Sequence, residues 1–125
     1  MNRTREIERP EWSGFLDGFS RQHEGWLVTV EQVSMPAGPS AVEARELPLE
    51  GVSAEPDGTI SVSVGGTPER HVTHIVPRAA RLLVEETDDG MDRGIRIDRS
   101  SGPSTRVMFR SAARPEEVDG IPSGR

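Results

Sequence analysis

The chain has no cysteine, no lysine and no tyrosine. Without thiols there is no disulfide framework, no thiolate nucleophile and no thiolate metal site. Aromatic residues make up only 4% and apolar residues 33% of the sequence. Mean hydropathy is −0.54, so the core should be modest and the loops extensive. No apolar run approaches the length of a membrane span, and the opening MNRTREIERP has no apolar leader-like stretch. A soluble, cytoplasmic protein without membrane contact is therefore expected. The net charge is −6 with a pI near 5.1, which argues against general affinity for nucleic acid or anionic lipid. All cationic charge is arginine, which we attribute first to coding bias and only second to a site that needs guanidinium geometry. The glycines form neither a phosphate-binding loop nor a dinucleotide fingerprint, and no serine sits in a nucleophile elbow. Residues Glu85, Glu86, Asp88, Asp89 and Asp92 lack the spacing of a calcium loop and read as a solvated turn. No catalytic residue, metal site or cofactor is expected.

What the sequence does contain is concentrated in residues 10–33, PEWSGFLDGFSRQHEGWLVTVEQV. Trp12, Phe15, Leu16 and Phe19 recur at helical spacing and form one apolar stripe. Pro10 suits a first helical position, Arg21, Gln22 and His23 fill a last turn, and Gly25 can take a left-handed cap. The spacing predicts a helix over 10–23. From Trp26 the period changes to two, with Trp26, Val28 and Val30 on one face of a strand. Both tryptophans and two of the three phenylalanines lie in this stretch, so it should be the centre of the core.

Further on, a proline- and glycine-containing loop over 34–40 precedes a strand over 41–47 that should pair back on 26–33. Pro48 and Gly51 among Leu47, Leu49 and Val52 suggest a bent or bulged continuation. The turn Pro56-Asp57-Gly58 leads into 59–64, with Ile60, Val62 and Val64 inward. Strands follow at 71–76, at 79–87 (where a short helix is the alternative), around Ile95 and Ile97, and around Val107 and Phe109. The expected fold is mainly β. An N-terminal amphipathic helix precedes a six- to seven-stranded antiparallel meander forming a small barrel or half-barrel, with an open α+β sheet as the alternative. A single domain over 1–113 should be followed by an extended tail over 114–125.

Three groups of residues are candidates for function. His71 and His74 lie three apart on a strand, which puts them on opposite faces, the wrong geometry for one metal ion. His74 shares a face with Val72 and Val76 and reads as a buried histidine bonded to backbone, or with Trp26 as part of a pocket between helix and sheet. The arginines offer the third lead. Residues 1–57 hold eleven acids and five arginines, whereas 58–125 hold ten of each. In a hairpin over 94–110, Arg96, Arg106 and Arg110 should share the outer face, with Arg70, Arg78 and Arg81 nearby in sequence. Together they form either an anion- or partner-binding surface or one neutralised by Glu85, Glu86 and Asp98 as cross-strand ion pairs.

Four blocks, EWSGFLDGFSRQHEGWLVTVE, EARELPLEGVS, HVTHIVPRAARLLVEE and FRSAARPEEVDGI, together resemble the small bacterial and archaeal proteins of domain of unknown function family 5335. The resemblance implies a free-standing, single-domain cytoplasmic protein and brings no activity or site residues with it. The helix-first layout with HVTHIVP is also similar to the bacterial Sm-like RNA chaperone, from which the chain departs in its acidity and its lack of lysine and tyrosine. The leading expectation is a non-enzymatic module that binds another protein or its own copy through a strand edge or the arginine face. The alternatives are an Sm-like single-stranded RNA binder and a small-ligand carrier or enzyme with a pocket between helix and sheet.

Overall fold

A computed structural model describes residues 3–34, 38 and 40–113, and the expected tail over 114–125 lies outside the described residues. The strands are β1 (Arg3–Ile7), β2 (Leu27–Val33), β3 (Ser40–Ala54), β4 (Ile60–Val64), β5 (Val72–Val76), β6 (Ala79–Glu86), β7 (Asp92–Arg99) and β8 (Ser104–Ala113). One α-helix, α1 (Trp12–His23), follows a 3-10 turn over Arg9–Glu11 that carries Pro10 at its start. All strand pairs are antiparallel, in the order β1-β6-β7-β8-β2-β3-β4-β5. Two meanders, β2 to β5 and β6 to β8, thus lie side by side through the β8–β2 pair. The sheet is open, its edges β1 and β5, and the mainly β fold with an N-terminal helix is as expected. There is one strand more than the sequence pattern predicts: β1 has four exposed residues and a single buried one, Ile7, so its periodicity carries no apolar signal.

The sheet curls because β3 bends. Glu46 adopts a φ of 51°, its N–H donates to Thr29 Oγ1 at 3.2 Å, and the β2–β3 register shifts between Val28 and Val30. A second shift follows between Leu49 and Gly51. Curling brings the concave face of edge strand β5 to β8, where the His74 ring meets Thr105 Oγ1 at 3.2 Å. His74 is therefore half-buried and bonded to a side chain, not buried and bonded to backbone as its neighbours suggest.

Helix α1 fills the hollow. Trp12, Leu16 and Phe19 are buried as the stripe predicts, and His23 continues it at 2% exposure. Phe15 stays half-buried at the margin. Trp12 Nε1 donates to Ile7 O at 2.8 Å, fixing the helix to β1, and the Phe19 ring stacks on Phe109 with centroids 5.7 Å apart. Gly25, at φ 87°, ends the helix in the left-handed region that favours glycine.

The helix also replaces a strand. β2 starts at Leu27, opposite Pro48, so it offers nothing to the second half of β3. Gly25 N–H donates to Leu49 O and Leu49 N–H to Trp26 O, each at 2.8 Å. Beyond them Ser20 Oγ accepts from Val52 N–H at 2.8 Å and donates to Val52 O at 3.0 Å. One hydroxyl thereby satisfies both main-chain groups that a neighbouring strand would have paired. Ser20→Ala should lower stability by about 1–3 kcal/mol in urea denaturation, because it strands both Val52 groups beneath the helix.

Candidate functional site

The outer face of β6, β7, β8 and β2 holds three of the arginines singled out from sequence. Arg96 and Arg106 are direct cross-strand partners, an arrangement unfavourable for like charges unless anions intervene. Anions do intervene. Asp98 accepts from Arg96 Nε at 3.0 Å, Arg96 Nη2 at 3.2 Å, Arg81 Nη2 at 2.9 Å and Ser104 Oγ at 2.6 Å. Glu85 accepts from Arg106 Nε at 3.2 Å and Nη2 at 2.9 Å, and Glu31 lies 3.6 Å from Arg106 Nη1. Burial alone would raise the Asp98 pKa, but the bonds from Ser104, Arg96 and Arg81 hold it below the ordinary carboxylate value. Three arginines thus meet three carboxylates, and this cluster has no net charge. Arg110 sits apart, exposed, with Glu46 at 3.7 Å. Arg70 and Arg78 lie in exposed turns on either side of β5, away from this lattice.

The pocket residues named from sequence are not brought together. Trp26 packs edge-on against His23 at 4.7 Å and Phe109 at 5.1 Å. His74 bonds to Thr105, four residues from Phe109 along β8, or roughly 13 Å at strand rise. His71 is on the opposite face of β5, its Nδ1 2.9 Å from Glu50 Oε1 and its Nε2 2.8 Å from Thr73 Oγ1.

A cleft between helix and sheet does exist, along α1 from Gly14 to His23. It has a volume of about 250 Å³ and lies between Gly14, Phe15, Gly18, Phe19, Gln22 and His23 of α1 and Arg5, Val84 and Asp92 of β1, β6 and β7. The register explains its polarity. Arg5 pairs with Val84, and Glu86 pairs with both Arg3 and Asp92, so the concave face turns from apolar to charged at this corner. Glu86 is engaged by Arg3 at 3.6 Å and Arg5 at 3.5 Å. Among the described residues no hydrogen bond or ion pair engages the Asp92 carboxylate.

His23, a helix-end group by its sequence position, is buried. Its ring contacts Phe19, Trp26 and Phe109 with centroids 4.6–4.7 Å away. Nδ1 lies 2.8 Å from Phe19 O, and since a carbonyl only accepts, Nδ1 carries the proton, so in the neutral ring that burial favours Nε2 is an acceptor. Burial pushes the His23 pKa below 6.5, with the Phe19 bond and the Asp92 charge opposing. Burial likewise raises Asp92, with His23 and Arg5 opposing and Glu86 reinforcing. The signal for His23 was available: it is the fourth member of the series Trp12, Leu16, Phe19, His23 on one helical stripe.

Arg106→Ala leaves Glu85 buried without its bidentate partner and should cost about 2–4 kcal/mol, whereas Arg110→Ala, exposed, should change stability by less than about 0.5 kcal/mol in the same denaturation assay. His23 has a folded pKa below its unfolded value, so it adds stability above about pH 6.5 that is lost as pH falls and the unfolded chain takes up the proton. Melting temperature should therefore drop between about pH 7.5 and 5.5. In His23→Gln that slope should flatten, whatever the variant's absolute stability.

No curated protein and no solved structure matches the chain. A family model does, that of the family of unknown function DUF5335, over residues 3–118, which takes in β1, the helix and every later strand described above. The chain belongs to that family.

Proposed function

We propose that this protein is a self-associating binding module that extends its sheet by pairing β5 with the β5 of a second copy. The observation that supports this is the contrast between the two sheet edges. β1 is blunted by Arg3, Arg5 and Glu6, all exposed, which is how natural edges discourage strand addition. β5 has no such protection: Val72 is 39% and Ile75 51% exposed, two of the three large apolar side chains left in water among the described residues.

The sequence of β5 suits its own copy. Antiparallel pairing about His74 sets Val72 against Val76 and Thr73 against Ile75, so apolar groups recur on both sides of the two-fold. Covering four partly exposed side chains contributes about 4–8 kcal/mol, and association costs about 4–15 kcal/mol, so main-chain bonds decide the balance and the pairing is weak. Arg70 and Arg78 fall at the two ends of the paired segment and meet as like charges, so added salt should strengthen it. The neutral arginine lattice offers no comparable attraction for an anionic partner.

Analytical ultracentrifugation over a concentration series tests the reading. The wild-type chain should shift from monomer to dimer at micromolar to millimolar concentration, more readily in higher salt, and Ile75→Lys should abolish the shift without lowering the melting temperature. Because the chain has no native cysteine, His74→Cys should cross-link to its own copy on mild oxidation. A chain that stays monomeric at millimolar concentration, or a dimer indifferent to Ile75→Lys, would overturn the proposal.

A further inference from the structure

We propose that the cleft between α1 and the β1–β6–β7 corner binds a small organic cation, a primary or secondary ammonium carrying a short apolar group. The polar groups of the cleft decide the sign of the ligand. Arg5 is its one cationic side chain, and Arg5 is held by Glu86 at 3.5 Å. The Asp92 carboxylate, by contrast, has no hydrogen bond or ion pair among the described residues, although it lies on the concave side beside Glu86. His23 commits its Nδ1 proton to Phe19 O, leaving Nε2 as a lone-pair acceptor. Two acceptors that no donor engages among the described residues call for a ligand that donates, and an anion entering here would face both Asp92 and Glu86.

The walls fit the rest of such a molecule. Phe15 and Phe19, with centroids 6.0 Å apart, give the cleft aromatic surface on the helix side, suited to an alkyl or aryl group and to the cation itself. At about 250 Å³ the space is below the usual range for drug-sized ligands and admits one ring or a short chain.

The helix supplies an independent argument. Gly14 and Gly18 line the cleft one turn apart, and a Cβ added at either would meet nothing within 4 Å. Neither has a positive φ. Each glycine costs an interior helix position about 1 kcal/mol relative to alanine, and the packing of the fold does not require it. Their effect is to keep the cleft deep where a ligand would approach the helix backbone. This site and the β5 edge lie at opposite ends of the strand order, so either proposal can fail without the other.

The test is titration of the full chain with benzylammonium chloride, followed by calorimetry and by the fluorescence of Trp26, whose ring packs on His23. Sodium benzoate and benzyl alcohol serve as the anionic and neutral counterparts. Benzylammonium should bind saturably at millimolar concentration or below, and the two counterparts at least about tenfold more weakly, a difference of about 1.4 kcal/mol. Asp92→Asn should weaken benzylammonium binding by at least tenfold while leaving the melting temperature unchanged or higher, since the variant removes a desolvated carboxylate facing Glu86. Gly18→Leu should block binding by filling the cleft, and Gly18→Ala should raise the melting temperature, which shows that the helix tolerates side chains there. Affinity should fall as pH is lowered and Asp92 takes up a proton, with His23 from α1, Glu86 from β6 and Arg5 from β1 the charged or titratable groups facing it. Benzoate binding as tightly as benzylammonium, an unchanged affinity in Asp92→Asn, or no saturable binding at millimolar concentration would each overturn the proposal.

Discussion

The architecture depends on a strand that outlasts its neighbour. β3 runs for fifteen residues, and β2 pairs with only its first part. The main-chain groups past Pro48 therefore need partners on the side that β2 vacates, and an unpaired buried N–H or C=O costs as much as a lost hydrogen bond. Helix α1 meets that need from the residues that lead into β2 itself: Trp26 and Gly25 extend the ladder by one rung, and Ser20 closes the next. The helix is thus part of the sheet's hydrogen bonding as well as its apolar cover. Its position follows from main-chain chemistry before any side chain packs.

Fixing the helix there has a consequence at its other flank. The stripe of Trp12, Leu16, Phe19 and His23 lies on the concave core, but a helix held close to β3 reaches less far over β1, β6 and β7. That corner of the concave face is accordingly charged, with Arg3, Arg5, Glu86 and Asp92 where other rungs have valine, leucine and isoleucine. Phe15 and the two glycines of the helix look onto the same gap. The cleft is the space left between a helix tied to one side of a curved sheet and the polar rung on the other.

Much of this was legible in the sequence, and the exceptions have physical causes. The helical stripe, the alternation in Ile60, Val62 and Val64, and the hairpin with Ile95, Ile97, Val107 and Phe109 inward all rest on burial with a clean period, and all four hairpin residues are 8% exposed or less. The bend at Pro48 and Gly51 was signalled by those residues. β1 was not readable, because an edge strand that protects itself with charge has no apolar period to find. The arginine face could be placed but not its balance, since whether Glu31 or Glu85 lies against Arg106 depends on which strands are neighbours. The β8–β2 pair that brings Glu31 there joins segments some seventy-five residues apart. His23 and Asp92 were hidden for the same reason: one looks like a helix end, the other like a turn acid, and only the packing of α1 on the sheet brings them to one cleft.

The two sets of charges differ in what they leave over. On the convex face every carboxylate of the lattice has an arginine, and Asp98 has two with Ser104 besides, so its affinity is spent internally. On the concave face Glu86 takes both Arg3 and Arg5, and half-buried Asp92 has no hydrogen bond or ion pair among the described residues. A surface that satisfies itself is a stabilising device, and truncating it should register in stability. A carboxylate whose pKa burial raises weakens the fold at neutral pH, because the folded state disfavours the charge that the unfolded state accepts. Such a group is retained at a cost to the fold that an incoming cation would relieve, and that asymmetry makes the concave corner, rather than the richer arginine surface, the place to look for a ligand.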